Sequence, residues 1–264
     1  MSSAIGVAIT PLVLTYNEEP NIRRTLESLR WAERVVVLDS GSTDATELIV
    51  RSFPNADWRV RPFDCHGRQW EYGIRRTEIS SPFVLALDAD MAVPAPVVEE
   101  MSAVFLRGKY AGGVLPFEFH VLGRPLVGSI YPAQLRVFRP EQVEVSQPGH
   151  TQEFSARGEV YHFKSPLIHD DRKSLERWAA SQLAYSILEE QRIADGKGNR
   201  WRDRLRQMGL MPPIAGALAY LRAGGPWKGA AAARYAYERT AFECLLAIRL
   251  MTARLRKDTE HESH

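Results

Sequence analysis

Cysteine is nearly missing from this 264-residue chain. Its two copies, Cys65 and Cys244, stand far apart and form neither a disulfide framework nor a metal-ligand spacing, which suits a reducing compartment. Excess charge is missing as well: 34 Lys and Arg against 32 Asp and Glu leave +2, and that balance implies no nucleic-acid partner. No apolar run is long enough to span a bilayer, since Met211 to Leu221 has about half of the ~20 residues required. The N-terminus lacks a basic stretch, a long apolar segment and a small-residue cleavage site, so a cytoplasmic location is expected. No internal repeat with a period of about 20–50 residues stands out. The first strand is not followed by G-x-G-x-x-G, which argues against a dinucleotide-binding dehydrogenase.

What remains is an ordinary globular composition, long enough for one large α/β domain with an appendage. Residues 5–16 read as an apolar strand broken by Pro11, followed by a helix that Glu19-Pro20-Asn21 opens and Trp31 ends. Val35 to Asp39 is a second buried strand, and its turn offers Ser42 or Thr43 as caps for a helix over Ala45 to Phe53. A strand near Trp58 to Pro62, a helix around Gln69 to Glu78 and the run Phe83 to Leu87 complete three strand-to-helix passages. These require right-handed crossovers and a parallel sheet resembling a Rossmann half. A helix near Val97 to Arg107 and mixed or edge strands at Gly112 to Val121 and Gln134 to Phe138 follow. From Leu175 onward the chain is basic and helical, with interruptions at residues 195–198, at Pro212-Pro213 and at Gly224-Gly225-Pro226.

The chemistry concentrates where the run Phe83 to Leu87 meets Asp88-Ala89-Asp90. Ligands of open α/β sheets bind beyond the carboxyl ends of strands, and a period of two puts Asp88 and Asp90 on one side, where hard oxygens hold Mg2+ or Mn2+. Such a cation in turn grips a diphosphate. His169 is either a packed histidine or a third metal ligand, reached when the tail folds over the site. Arg136 alternates with apolar neighbours on its strand, and an inward arginine is unusual without an anion to hold.

Four segments set side by side, Leu14-Thr15-Tyr16-Asn17-Glu18-Glu19, residues 37–46, Leu87-Asp88-Ala89-Asp90 and the block from Glu153 to His169, resemble the family 2 inverting glycosyltransferases of GT-A fold. Within that family the chain is similar to bacterial lipopolysaccharide-core and envelope polysaccharide glucosyltransferases. The likeness implies a Rossmann-like, mostly parallel sheet flanked by helices. A catalytic domain over residues 1–174 would divide into a nucleotide-sugar half, about 1–95, and an acceptor half, about 96–174; a helical basic extension would cover 175–264. It makes Thr15, Tyr16 and Glu18 or Glu19 the wall around the nucleotide base and Asp39 the acceptor for a uracil imide N–H. Arg68, Gln69 and Arg76 touch diphosphate or ribose, or else line a solvated face. Asp88 orients ribose and metal, while Asp90 binds the metal directly.

Inversion requires a base in the second half of the chain. By resemblance that base is Glu153, with Asp170 and Asp171 as rivals. Gln152 stands where relatives place a histidine, and His150 lies further back. The implied reaction moves a hexose, glucose above all, from a UDP-sugar to a hydroxyl of an envelope glycan or lipid-linked saccharide. A nucleotidyltransferase-like enzyme and a non-catalytic carbohydrate-binding protein on this fold are the alternatives. The basic tail is either a solvated face or a peripheral contact with anionic lipid of the inner membrane, through its arginines and Trp227, Tyr235 and Phe242.

Overall fold

The computed structural model describes residues 8–106, 108–147, 152–196 and 200–262. In chain order the first elements are β1 (Ile9–Thr15), α1 (Ile22–Glu27), β2 (Val35–Asp39), α2 (Thr46–Arg51), β3 (Ala56–Val60), α3 (His66–Arg76) and β4 (Phe83–Asp88). Then come β5 (Met91–Ala92), α4 (Ala95–Phe105), β6 (Gly112–Leu115), β7 (Phe117–Val121), β8 (Arg124–Pro125), β9 (Gln134–Phe138), β10 (Val143–Ser146), β11 (Glu153–Ala156), β12 (Val160–His162) and β13 (Leu167–His169). Four long helices follow: α5 (Leu175–Ala194), α6 (Arg200–Gln207), α7 (Met211–Arg222) and α8 (Gly229–Glu262). The described residues form two compact units, one within 8–123, 131–147 and 152–173, the other within 124–130 and 174–262.

The first unit is built on a seven-stranded sheet of order β12-β6-β9-β4-β1-β2-β3, in which β4, β1, β2 and β3 run parallel. Strands buried on both faces need apolar residues at every position, which is why β1, β2 and β4 read as continuous runs. Alternation then sorts the side chains. Val13, Val35, Val37, Leu85 and Leu87 pack with Ile22, Leu26, Val50, Val97 and Met101 on one face, while Leu12, Val36, Leu38, Val84 and Ala86 pack with Trp70 and Ile74 of α3 on the other. The result is a mostly parallel α/β sheet covered by helices on both sides.

Some details differ from the sequence reading. Pro11 does not break β1: pairing with β2 begins only at Leu12 opposite Val36, so the missing N–H falls ahead of that ladder. Residues 112–121 form two strands, separated at Pro116. The helix after β2 is not capped by Ser42 or Thr43; the Asp44 carboxylate accepts the Thr46 N–H at 3.0 Å. The most consequential difference is that β4 stops at Asp88, and Asp90 sits in the turn before β5. Strand alternation therefore does not govern Asp90, and the two carboxylates face different partners.

In the second unit, α5, α6 and α8 are joined by ions as much as by apolar contact. Glu189 accepts from Arg192 and Arg206, Arg192 also reaches Asp203, and Arg206 also reaches Glu243. The two arginine side chains are only 12% and 13% exposed, so these ion pairs tie the helices together from within. Pro212 and Pro213 do not interrupt a helix; they lie in the first turn of α7, where proline's missing N–H has no intrahelical partner to lose. Tyr235 and Phe242, expected against lipid, are buried, Tyr235 accepting the Ile130 N–H at 3.1 Å and Phe242 packing on Ile193 and Leu246. Among the described residues, no helix is long and apolar enough to cross a membrane.

Leu85, fully buried at the centre of the sheet, measures how much the core carries. Leu85→Ala should cost about 2–5 kcal/mol. Urea unfolding should show a lower midpoint with an unchanged slope, and a cost below about 1 kcal/mol would contradict this packing.

Candidate active site

The carboxyl ends of β1, β2 and β4 open on the same edge of the sheet, and three loops meet there. After β1, Asn17 adopts a left-handed φ of 54°, a conformation that asparagine tolerates better than most residues. Its side-chain oxygen accepts the Thr43 N–H at 2.7 Å, while its backbone N–H donates to the Ser42 hydroxyl, so the first and second loops lock together. Tyr16 and Glu19 are exposed on this wall, and Thr15 is buried beneath it. The Asp39 carboxylate accepts from the Thr15 hydroxyl, the Ser42 hydroxyl and the N–H groups of Gly41 and Ser42. These four donors fill its roughly four acceptor positions. The observed work of Asp39 is to organise the turn, and a base N–H would have to displace one of these bonds.

Gln69 is fully buried and donates to the Ser40 hydroxyl and the Arg61 carbonyl. It braces the wall from behind, and its burial rules out the alternative of a solvated helix face for this residue. Arg68 and Arg76 are exposed on α3, Arg68 pairing with Asp64 at 3.5 Å.

Two centres form around the acidic pair. Asp88 accepts from Arg136 on β9 at 3.3 Å. Arg136 is 3% exposed, and its Nε and one terminal nitrogen are buried with no hydrogen-bond partner. A half-satisfied buried guanidinium is costly and is ordinarily completed by an anion. Asp90 is 8% exposed, and one of its oxygens is likewise buried without a partner. Its other oxygen lies 3.6 Å from His169 Nε2 and 4.0 Å from Lys173 Nζ.

His169 reaches Asp90 through the sheet, not through a tail folding over. β13 pairs antiparallel with β5, setting His169 opposite Met91, and the Asp170 N–H donates to the Asp90 carbonyl at 3.1 Å. The imidazole stacks on Phe119, which stacks on Tyr131. Asn21, fully buried, then ties three segments. Its amide donates to Glu18 and to Asp171, both at 2.9 Å, and its oxygen accepts the Arg172 N–H.

The rival bases are engaged here. Asp170 is 1% exposed and held by Arg172 at 2.7 Å and by the Gly123 N–H at 3.0 Å. Burial alone would raise the Asp171 carboxyl, but the Lys173 ammonium and the N–H groups of Lys173 and Asn21 more than offset it, leaving the group below its ordinary range and poorly basic. Glu153 stands exposed at the start of β11, opposite Ser146. His150 lies outside the described residues. Asn21 and Lys173 escaped the sequence reading; the only signal was alternating charge in His169-Asp170-Asp171-Arg172-Lys173, which is silent on where that segment docks.

Burial pushes the Glu18 carboxyl up to about 7, with Lys173 pulling it back and the Asp90 charge adding to the rise. A carboxyl raised on folding contributes stability that is complete below its ordinary 4.5 and lost as pH climbs through about 7. In metal-free buffer the Tm of the wild type should therefore fall relative to Glu18→Gln across that window; parallel Tm profiles would contradict this burial.

The chain matches the family described as Glycosyl transferase family 2 over residues 12–155. It is 26% identical over 242 residues to the lipopolysaccharide core biosynthesis glycosyltransferase LpsC of Rhizobium meliloti (strain 1021), covering 83% of each chain. An uncharacterized glycosyltransferase of Rickettsia bellii (strain RML369-C) is 29% identical over 106 residues, 40% of this chain and 35% of that one. Among solved structures, S. aureus TarS 1-349 aligns with a TM-score of 0.46 at 15% identity, over 77% of this chain and 69% of that one. With the matched segment spanning more than half of its length, the chain belongs to glycosyl transferase family 2 and is a glycosyltransferase.

Proposed function

We propose that this enzyme transfers a hexose, glucose in our reading, from a UDP-sugar to a hydroxyl of a bacterial envelope glycan or lipid-linked saccharide, with inversion at the sugar carbon. The observation that carries the reading is the pair of incomplete groups at one sheet edge: a buried Asp90 oxygen without a donor and a buried Arg136 without its full set of acceptors. One calls for a cation and the other for an anion, and a metal-bound diphosphate supplies both. Family membership sets aside the nucleotidyltransferase alternative, and the similarity to a protein named for lipopolysaccharide core biosynthesis supports an envelope acceptor.

In this proposal Asp90, Asp88 and His169 would hold Mg2+ or Mn2+. A carboxylate with one oxygen unpartnered and the other 3.6 Å from an imidazole nitrogen is a donor set that fits either ion. When bound, such an ion offsets charge on the departing diphosphate. Arg136 directs its unpartnered N–H groups toward the diphosphate and holds Asp88. Arg68 and Arg76 add long-range charge, and Tyr16, Glu18 and Glu19, backed by Thr15 and Asp39, wall the base. Glu153, the exposed carboxylate among the three candidates, takes the proton of the acceptor hydroxyl. The oxygen bonds to the sugar carbon from one face as the bond to the diphosphate breaks on the other, and the diphosphate leaves with the electron pair. A catalytic domain over residues 1–174 and a helical extension over 175–264 are part of the same proposal.

The second unit supports peripheral contact with anionic lipid, at a different place from the basic face of α8. Trp227 is 90% exposed and Leu221 and Val127 are 71% exposed around the Gly224 corner between α7 and α8; Val127 donates its N–H to Ala223. From Arg204 to Tyr237 the sequence holds no Asp or Glu, and Arg222 and Lys228 flank the corner. An aromatic and two aliphatic side chains ringed by cations suit the headgroup boundary.

Two experiments test this reading. Asp90→Ala should abolish metal-dependent turnover of UDP-glucose, whereas Glu153→Gln should keep UDP binding and lower turnover by roughly 10²-fold or more; retained turnover in either variant rejects that residue's role, and equal thermal stabilisation by every nucleotide rejects the donor. On vesicles containing anionic lipid, the wild type should co-sediment at low salt and Trp227→Ala with Leu221→Ser should lose most of that binding; binding that persists in the double variant contradicts the corner as the contact.

A further inference from the structure

Lys173 has no part in the proposed transfer, yet three carboxylates surround it. Its Nζ lies 3.0 Å from Glu18, 3.2 Å from Asp171 and 4.0 Å from Asp90, with the side chain only 17% exposed. The acids come from three places in the sequence: the loop after β1, the turn after β4 and the segment after β13. The Asn21 amide fixes two of them by donating to Glu18 and Asp171 at once. Three carboxylates thus converge on one ammonium, and the Asp90 oxygen that Lys173 does not approach is the buried one lacking any donor. The group is short of positive charge, since His169 and Lys173 both lie toward the other Asp90 oxygen, at 3.6 and 4.0 Å.

We propose that Lys173 is an internal counter-cation of the Asp90 site: it holds the three carboxylates together when no divalent ion is bound, and it competes with that ion for the Asp90 carboxylate. This rests on the reading of Asp90 as a metal ligand. A divalent ion entering alone meets an ammonium already on the same carboxylate, and repulsion between cations a few ångströms apart in a partly buried place is strong. A diphosphate arriving with the ion occupies its remaining coordination and screens it from the ammonium. Lys173 therefore makes cation binding conditional on the nucleotide, keeping the affinity for free Mn2+ low and the coupling between Mn2+ and UDP high. Such coupling is reciprocal, so Mn2+ strengthens UDP binding by the same factor.

Free Mn2+ measured by electron paramagnetic resonance, in titrations of the full chain with and without UDP, tests this without reference to turnover. Lys173→Met should bind Mn2+ alone about tenfold more tightly than wild type, equivalent to about 1.4 kcal/mol, and the strengthening of Mn2+ binding by UDP should shrink by a similar factor. Its Tm in chelator should fall and recover on adding Mn2+. Because losing the ammonium leaves Glu18 uncompensated, the pair Glu18→Gln and Glu18→Gln with Lys173→Met provides a charge-balanced comparison, in which the double variant should again bind Mn2+ more tightly. Unchanged or weaker Mn2+ binding in both comparisons overturns the proposal. Asp90→Asn separates the two layers: if it binds Mn2+ like wild type, the metal reading fails, whereas loss of binding there with no effect at Lys173 leaves that reading standing and rejects the counter-cation.

Discussion

The short antiparallel pairing of Met91–Ala92 with Ile168–His169 is the contact on which the site depends. It carries the chain from its last strand back to the turn after β4 and sets an imidazole, two aspartates and a lysine beside Asp90. Two paired residues hold little free energy by themselves. The arrangement is fixed by what surrounds it: Asn21 bonding to Glu18, Asp171 and Arg172, Thr25 donating to the Ala89 carbonyl at 2.6 Å, and Arg24 bonding to the Asp170 carbonyl. The opening residues of α1 are thus spent on a distant segment instead of on capping their own helix, for which Asn21 makes no side-chain bond. Polar networks of this kind specify one geometry because every partner left unmet is penalised.

The same reasoning separates parts of the site that are complete from parts that are not. Asp39, Gln69, Asn21 and Asp170 find their partners within the chain, and their contribution is to shape the edge. Asp90 and Arg136 find only part of theirs: Arg136 bonds Asp88 and Gln134 while its other two nitrogens go without, one Asp90 oxygen has no donor, and each such buried group is a cost. That contrast distinguishes wall from contact among residues that a sequence motif presents as equivalents.

Much of the sheet was legible because parallel strands covered on both faces leave unbroken apolar runs, and the runs ending in Asp39 and Asp88 mark the edge directly. The turn after β4 was not legible, since alternation gives no signal for where a strand stops, and Asp90 lies just past that point. The sequence offers Gln69 as a diphosphate or ribose contact or a solvated residue and Arg136 as an inward one; only their partners in the fold tell them apart. β5 and β13 are too short to produce a pattern, so Lys173 could not be placed. In the second unit, Arg192 and Arg206 pair with Glu189, Asp203 and Glu243, a pairing between helices that periodicity does not encode.

The central claim is that the edge holding Asp90 and His169 receives a divalent cation together with the diphosphate of a uridine nucleotide. Anomalous diffraction from crystals grown with Mn2+ and UDP tests it most directly. The account predicts one manganese peak within coordination distance of Asp90 and His169, with the diphosphate bridging it to Arg136; UDP bound at this edge with no manganese beside Asp90 would contradict it.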